Sequence, residues 1–228
     1  MIDYSTWDHL LKEYVNADGQ VDYQRWQREA QPELKQWLHS LTDTKLQQLT
    51  DQEQFTLLIN LYNALVIDQI LQRYPLKSIL PRFLGIPNWL SFLRFFSRSI
   101  YTLGEHSLSL NEIEHQMLRK QWQDPRIHFA LVCAAQGCPC LRNEAYQPTP
   151  IQEQLHTDAE RFINNPDKLR YDPERRLLQC SKIFKWYEPD FLQVSSSLPH
   201  YVSQYLSFTL PEDLSIEYLP YNWHLNEQ

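Results

Sequence analysis

The sequence predicts an α+β fold: a mainly helical single domain spanning residues 1–228 around a small β-sheet, with a buried central helix near residues 51–73. Three observations lead there. Apolar residues recur at helical spacing through the first quarter, the stretch after Asp51 is apolar nearly all round, and only a few short segments alternate like strands. No internal repeat appears, and nothing between the segments is long and polar enough for a flexible linker.

Ser5 is placed to cap a first helix, in which Trp7, Leu10, Leu11, Tyr14 and Val15 fall at i, i+3, i+4, i+7 and i+8, with Asp18-Gly19 as its end. A second helical stretch reaches Ala30, and Pro32 opens a third with Leu34, Trp37, Leu38 and Leu41 on one side. Asp51 with Gln54 makes a capping-box-like start to the central helix. Within it Asn60 and Asn63 are three apart and share a face, so these amides need hydrogen-bond partners.

Between Gln69 and Gly104 there is no acidic residue, while Arg73, Lys77, Arg82, Arg94 and Arg98 are basic and large apolar side chains are dense. Pro87 breaks this segment, and its aromatic content reads first as core beneath a long loop, with a surface for a partner or a membrane as the alternative. Ser107 to Leu110 alternates like a strand, and Asn111 with Glu114 forms a capping box for a helix with His115 at the end of its first turn. Asp124-Pro125 is a break, and Ile127 to Val132 reads as a buried strand. Pro150 opens another amphipathic helix, two strands meet at Asp172-Pro173-Glu174, short helices follow, and SIEYLPY is a last strand.

Composition removes several functions. A net charge of -7 with no basic stripe argues against nucleic acid. Four glycines in the whole chain cannot build a dinucleotide fingerprint or a Walker loop, and no cofactor is called for. The N-terminus has no basic segment followed by an apolar one, which leads to the expectation of a soluble protein kept in the cytoplasm. In that reducing compartment Cys133, Cys138, Cys140 and Cys180 are expected as free thiols or metal ligands, with a disulfide the last choice.

Three of those cysteines lie in HFALVCAAQGCPCLRNEAY, residues 128 to 146. Cys138, after Gly137 and before Pro139, reads as the N-cap of a short helix, whose free N–H groups and dipole would favour a thiolate. A thiolate nucleophile needs a base, and His115 and His128 are the nearest candidates. Metal binding by Cys133, Cys138, Cys140 and His128 is a second reading, although the spacing lacks the usual C-x2-C hook. Packed thiols without chemistry are the third.

INLYNALVIDQIL, LSLNEIEHQMLR, PRIHFALVCAAQGCPCLRNEAY, SKIFKWYEPDF and YLPYNWHLN follow in order the pattern of the domain of unknown function 547 family, which the chain resembles over nearly its full length. That family carries no agreed activity, and plant members that resemble fusions to leucine-zipper regions suggest an interaction role. The resemblance puts Asn60, Asn63, His115, His128, Cys138, Arg142, Lys182, Trp186, Tyr187 and Asp190 in corresponding positions. Such a Cys, His and amide set is compatible, by analogy, with papain-like or transglutaminase-like acyl chemistry. Cys140 and Asn222 depart from the pattern, Asn222 standing where an aspartate is usual.

The resulting expectation is a cysteine-dependent acyl or thioester hydrolase or transferase acting on a small-molecule, peptide or thioester substrate. Cys138 is the nucleophile, His115 the first choice of base with His128 the second, and Asn63 an oxyanion donor. Asn60, Arg142, Lys182, Trp186, Tyr187 and Asp190 are the substrate-binding candidates. The alternatives are an interaction module or peripheral membrane contact through residues 77–98, and thiol redox or metal sensing through Cys133, Cys138 and Cys140. Oligomeric state is left open.

Overall fold

The computed structural model describes residues 2–83 and 85–228, with the side chains of Arg82 and Phe83 left aside. The α+β architecture is as expected, mainly helical with small sheets, and what organises it is one helix buried along almost its whole length.

Three helices form the first layer: α1 (Ser5–Tyr14), α2 (Tyr23–Glu29) and α3 (Gln31–Ser40). Tyr4, not the expected Ser5, stands at the cap position of the first of them without a side-chain cap bond, and Asp3 Oδ1 accepts from the Ser5 amide at 2.8 Å. Trp7, Leu10, Leu11 and Tyr14 turn inward as their spacing predicts. The Trp7 ring stacks on Trp37, and Tyr14 stacks on Trp26, which ties the layer together.

Against this layer lies α4 (Asp51–Leu71), buried without interruption from Phe55 to Leu71. Its capping box is made by Thr50 and Glu53, one residue ahead of the expected Asp51 and Gln54. By length and composition α4 could cross a membrane, but its surface is packed inside the protein. A helix buried all round has no polar face on which to leave an amide. Asn60 therefore meets Trp7 Nε1 and both backbone groups of Tyr146, while Asn63 donates to the Ala130 carbonyl and accepts from the Val132 amide, each at 3.0 Å.

The expected core segment from Lys77 to Arg98 is divided. Leu84 lies outside the described residues. Strands β1 (Arg82–Phe83) and β2 (Ile86–Pro87) pair, and α5 (Trp89–Ser97) buries Phe95 and Phe96 but leaves Trp89, Leu90 and Leu93 exposed. A hairpin of β3 (Tyr101–Leu103) and β4 (His106–Leu108) turns at Gly104. It leads to a π-helical stretch, Glu112–Leu118, that runs into α6 (Arg119–Trp122). Ser109 and Glu112, not Asn111 and Glu114, make the capping box here.

Ile127 to Val132 is not a strand. Asp124 accepts from the Arg126 amide, Pro125 follows it, and this local start produces the single turn α7 (Ile127–Ala130) before the chain extends at Leu131. Helix α8 (Ile151–Ile163) packs against α7. The remainder forms a second apolar cluster. It comprises the antiparallel pair β5 (Leu169–Asp172) and β6 (Leu177–Cys180), helices α9 (Lys182–Trp186), α10 (Glu188–Val194) and α11 (Leu198–Ser203), and β7 (Ser215–Tyr218), which joins β6 in parallel to give the order β5-β6-β7.

Removing the Asn63 amide leaves a buried carbonyl and a buried N–H unpaired, each worth about 1–3 kcal/mol. Asn63→Ala is expected to cost about 2–5 kcal/mol in urea unfolding, against under about 0.5 kcal/mol for an exposed control such as Gln116→Ala. A loss near the control value would show that the amide does not hold this junction.

Candidate functional site

The chain leaves α7 with Ala130 and Val132 both tied to Asn63, so Cys133 emerges from a fixed point. Ala134 then adopts φ 59°, the left-handed region that a side chain enters only at a cost, and reverses the backbone. Cys133 and Cys138, with Cα atoms 6.1 Å apart, form a disulfide. This corrects two expectations. The pair is bonded instead of free, because the reversal at Ala134 brings the two residues together. The residues after Pro139 form no helix, so Cys138 is not an N-cap and receives no helix dipole.

What the dipole was expected to supply comes from two donors. The Cys133 amide donates to Cys138 Sγ at 2.9 Å, and the Tyr221 hydroxyl donates to the same sulfur at 3.1 Å. Tyr221 also lies 3.2 Å from Cys133 Sγ. Burial pushes the Tyr221 pKa up, so its hydroxyl keeps its proton and remains a donor. Cys138 is only 6 % exposed, whereas Cys133 is half-buried and is the more exposed residue of the pair.

Tyr221 reaches the sulfurs because residues 221–226 run as a strap along the cysteine loop. The Gly137 amide donates to Asn222 O, the Gln136 amide to His224 O, and the Asn226 amide to Ala134 O. Gly137 is needed for this approach, since a Cβ there would lie 2.9 Å from the Tyr221 ring. Asn222 bonds Gln136 and the His224 amide, so it orients no base at this site.

One side of the loop opens on a cleft of about 470 Å³ lined by Cys133, Cys138, an acid–base cluster and the rings of Trp89, Phe92, Trp186 and Trp223. In the cluster, Asp190 receives both Arg119 Nε and Nη2 at 2.7 Å and pairs with His128 Nε2 at 2.7 Å. Burial alone would raise the Asp190 pKa, but the bonds from His128 and Arg119 outweigh it and hold the carboxyl well below its usual range. An ionised Asp190 only accepts, so His128 Nε2 carries the proton and Nδ1 keeps its lone pair. Burial lowers the His128 pKa, and Tyr187 stacks on its ring at 3.7 Å.

His115 is less suited to the role of base. Its Nδ1 faces an Arg119 nitrogen at 3.0 Å, and a guanidinium only donates, so that lone pair is engaged. Glu114, in the same π-helical turn, accepts from the Tyr187 hydroxyl at 2.6 Å and the Tyr62 hydroxyl at 3.2 Å. Such turns recur at functional sites because they aim adjacent side chains away from helical spacing.

Of the residues expected from sequence, Cys138, His115, His128, Trp186 and Tyr187 line this cleft, and Asp190 stands behind His128. Asn60 and Asn63 do not serve substrate, because their amides are consumed by backbone groups of the fold. Arg142 pairs with Asp158 and Glu144 at another cavity, and Lys182 is not part of the cleft lining. Three contributors were missed, Tyr221, Glu114 and Arg119, and Cys133 was expected only in the redox and metal readings. Arg119 follows His115 by one helical turn and Tyr221 sits in YLPYNWHLN, so both left a trace in the sequence. Among the described residues no group of three or more His, Cys, Asp or Glu could hold a metal.

The model of a family described as "Protein of unknown function, DUF547" matches residues 46–163, just over half of the chain. The chain belongs to the DUF547 family. The matched stretch of this DUF547 protein holds α4, the π-helical turn, the cysteine loop and α8. Trp186, Tyr187 and Tyr221, which complete the cleft, and Asp190 behind His128 follow it in sequence. No curated protein and no solved structure matches the chain.

A folded state that keeps His128 neutral is fully stable above the unfolded pKa of about 6.5 and loses stability as pH falls from there toward the lowered folded value. The DUF547 chain is therefore expected to show a falling stability between pH 6.5 and 5 with a His128 contribution no steeper than about 1.4 kcal/mol per pH unit. In His128→Gln that contribution disappears. Parallel slopes for the two proteins in urea titrations would mean that His128 is not held neutral.

Proposed function

We propose that this protein catalyses thiol–disulfide exchange, with Cys133 as the sulfur that meets substrate and Cys138 as its internal partner. The single observation that carries the reading is the asymmetry of the pair: Cys133 is the more exposed residue, and Cys138 Sγ alone accepts from the Cys133 amide, while the Tyr221 hydroxyl lies within 3.2 Å of both sulfurs. Donors on a sulfur favour its thiolate, and the better-stabilised thiolate is the better leaving group.

In the oxidising direction a substrate thiol gives its proton to His128 Nδ1 and its thiolate attacks Cys133 Sγ. The Cys133–Cys138 bond breaks and Cys138 departs as the stabilised thiolate. A second substrate thiolate attacks the substrate sulfur of the mixed disulfide, releasing the substrate disulfide and the Cys133 thiolate, which takes a proton. Two electrons pass from two thiols to the protein, which becomes a dithiol when Cys138 takes the proton held on His128, and a second disulfide re-forms the Cys133–Cys138 bond by the reverse steps. The aromatic lining and the cleft volume suit a small thiol with an apolar body.

A second reading rests on the His128–Asp190 pair. In the dithiol form the Cys138 thiolate would attack an ester or thioester carbon, with His128 as the proton carrier. This is the cysteine-dependent acyl chemistry that the sequence suggests, with His128 in place of His115 and without Asn63.

Cys138→Ser treated with an aromatic disulfide is expected to hold a stable mixed disulfide on Cys133, mapped by peptide mass spectrometry. Its formation should be at least about tenfold faster than labelling at the half-buried Cys140. In the unmodified dithiol, Cys138 resolves the adduct, so no Cys133 adduct accumulates. Equal labelling of Cys133 and Cys140 would overturn the exchange reading. Thioester hydrolysis that needs prior reduction and is lost in both Cys138→Ser and His128→Gln would replace it with the acyl one.

A further inference from the structure

The stretch from Gln69 to Gly104 is the one long segment with bases and no acids in a chain of net charge -7. Folding concentrates this difference. Arg73, Arg94 and Arg98 line a cavity of about 390 Å³ together with Gln69, Ser91 and Phe95, and no carboxylate takes part in the lining. Arg94 and Arg98 are exposed and have no ion-pair partner among the described residues. The Arg73 guanidinium lies 5.3 Å from the Phe95 ring centre, and its Nη1 donates to Gln69 O. Three guanidiniums line one space with no carboxylate in its lining; Asp68, bonded to Gln72, lies with Arg73 and Arg98 on the neighbouring cavity and offsets part of their charge, which leaves the site net positive.

Directly beside it, α5 presents hydrocarbon to solvent. Phe95 and Phe96 are buried, while Leu90 is 78 % exposed, Ile86 71 %, Leu93 57 % and Trp89 51 %. Trp89 and Leu93 are four apart and Leu90 adjoins them, so on a helix they form one strip. Arg94 follows Leu90 by four and Arg98 follows Arg94 by four, which sets a cationic row along the edge of that strip. The hydroxyl of Ser97, exposed on the same helix, bonds back to Leu93 O. This face thus sets cations beside exposed hydrocarbon.

We infer that this face docks on an anionic lipid bilayer, with Trp89, Leu90 and Leu93 entering the headgroup boundary and Arg73, Arg94 and Arg98 holding a lipid phosphate. Apolar residues on one side of a short helix and arginines at its edge are the two contributions that bind interfacial helices to anionic lipid. The chain as a whole is negative, so repulsion by anionic lipid favours an approach through this acid-free segment. Trp89 and Leu93 also line the cysteine cleft, so the docked protein opens its cleft toward the lipid. The inference stands on α5 and its arginines and does not require the exchange reading.

The full chain is to be sedimented with vesicles of phosphatidylcholine alone and of phosphatidylcholine carrying about 30 % phosphatidylglycerol. Expected is partition onto the anionic vesicles at least tenfold above the neutral ones. It should fall at least tenfold in Leu90→Ser/Leu93→Ser and in Arg94→Glu/Arg98→Glu, both made at exposed positions and both with unchanged Tm. Equal partition onto neutral vesicles, no partition, or partition unaffected by either variant would overturn the inference. Two further results would also overturn it: saturable binding of inorganic phosphate without vesicle partition marks a site for free anions, and self-association lost in Leu90→Ser/Leu93→Ser marks a surface for a second copy.

Discussion

The structure depends on the burial of α4 on all sides. A helix with no solvent face cannot leave polar side chains unpaired, so Asn60 and Asn63 must take backbone groups of other segments as partners. Asn60 captures Tyr146 and Asn63 captures the junction from Ala130 to Val132. These two attachments bracket the cysteine loop, and one constraint, satisfying buried amides, fixes both where the loop begins and where it ends.

What the sulfurs experience is set from the far end of the chain. The strap from Tyr221 to Asn226 exchanges backbone hydrogen bonds with Ala134, Gln136 and Gly137, and only the missing side chain at Gly137 lets the Tyr221 ring approach. The cleft gives each of two carboxylates dedicated partners in a partly apolar space. Arg119 and His128 serve Asp190, and two tyrosine hydroxyls serve Glu114. Without Arg119 and His128, burial would favour the neutral form of Asp190.

Much of the fold is legible in the sequence because helical periodicity and capping are local. The helices over α1, α3, α4 and α8, the hairpin of β5 and β6, and the strand β7 all lie where spacing and turn residues place them. The capping boxes differ by one or two residues, Thr50 for Asp51 and Ser109 for Asn111, since adjacent polar residues compete for the same exposed amides. Residues 127–130 went the other way from their apolar run, because Asp124 and Pro125 start a helical turn more effectively than the run from Ile127 to Val132 starts a strand.

The site divides in the same manner. The sequence by itself determined the helical layers, the buried position of Asn60 and Asn63, the clustering of cysteines after a Gly137 turn, and the acid-free segment around α5. Each of these rests on residues within one or two turns of each other. The tertiary structure decided that Cys133 and Cys138 bond, that Asp190 and not Asn222 orients a histidine, that Tyr221 serves the sulfurs, and that α5 turns Leu90 outward. All of these but the short disulfide loop depend on partners brought from distant segments, and even that loop needs Ala134 in a conformation that no local preference dictates.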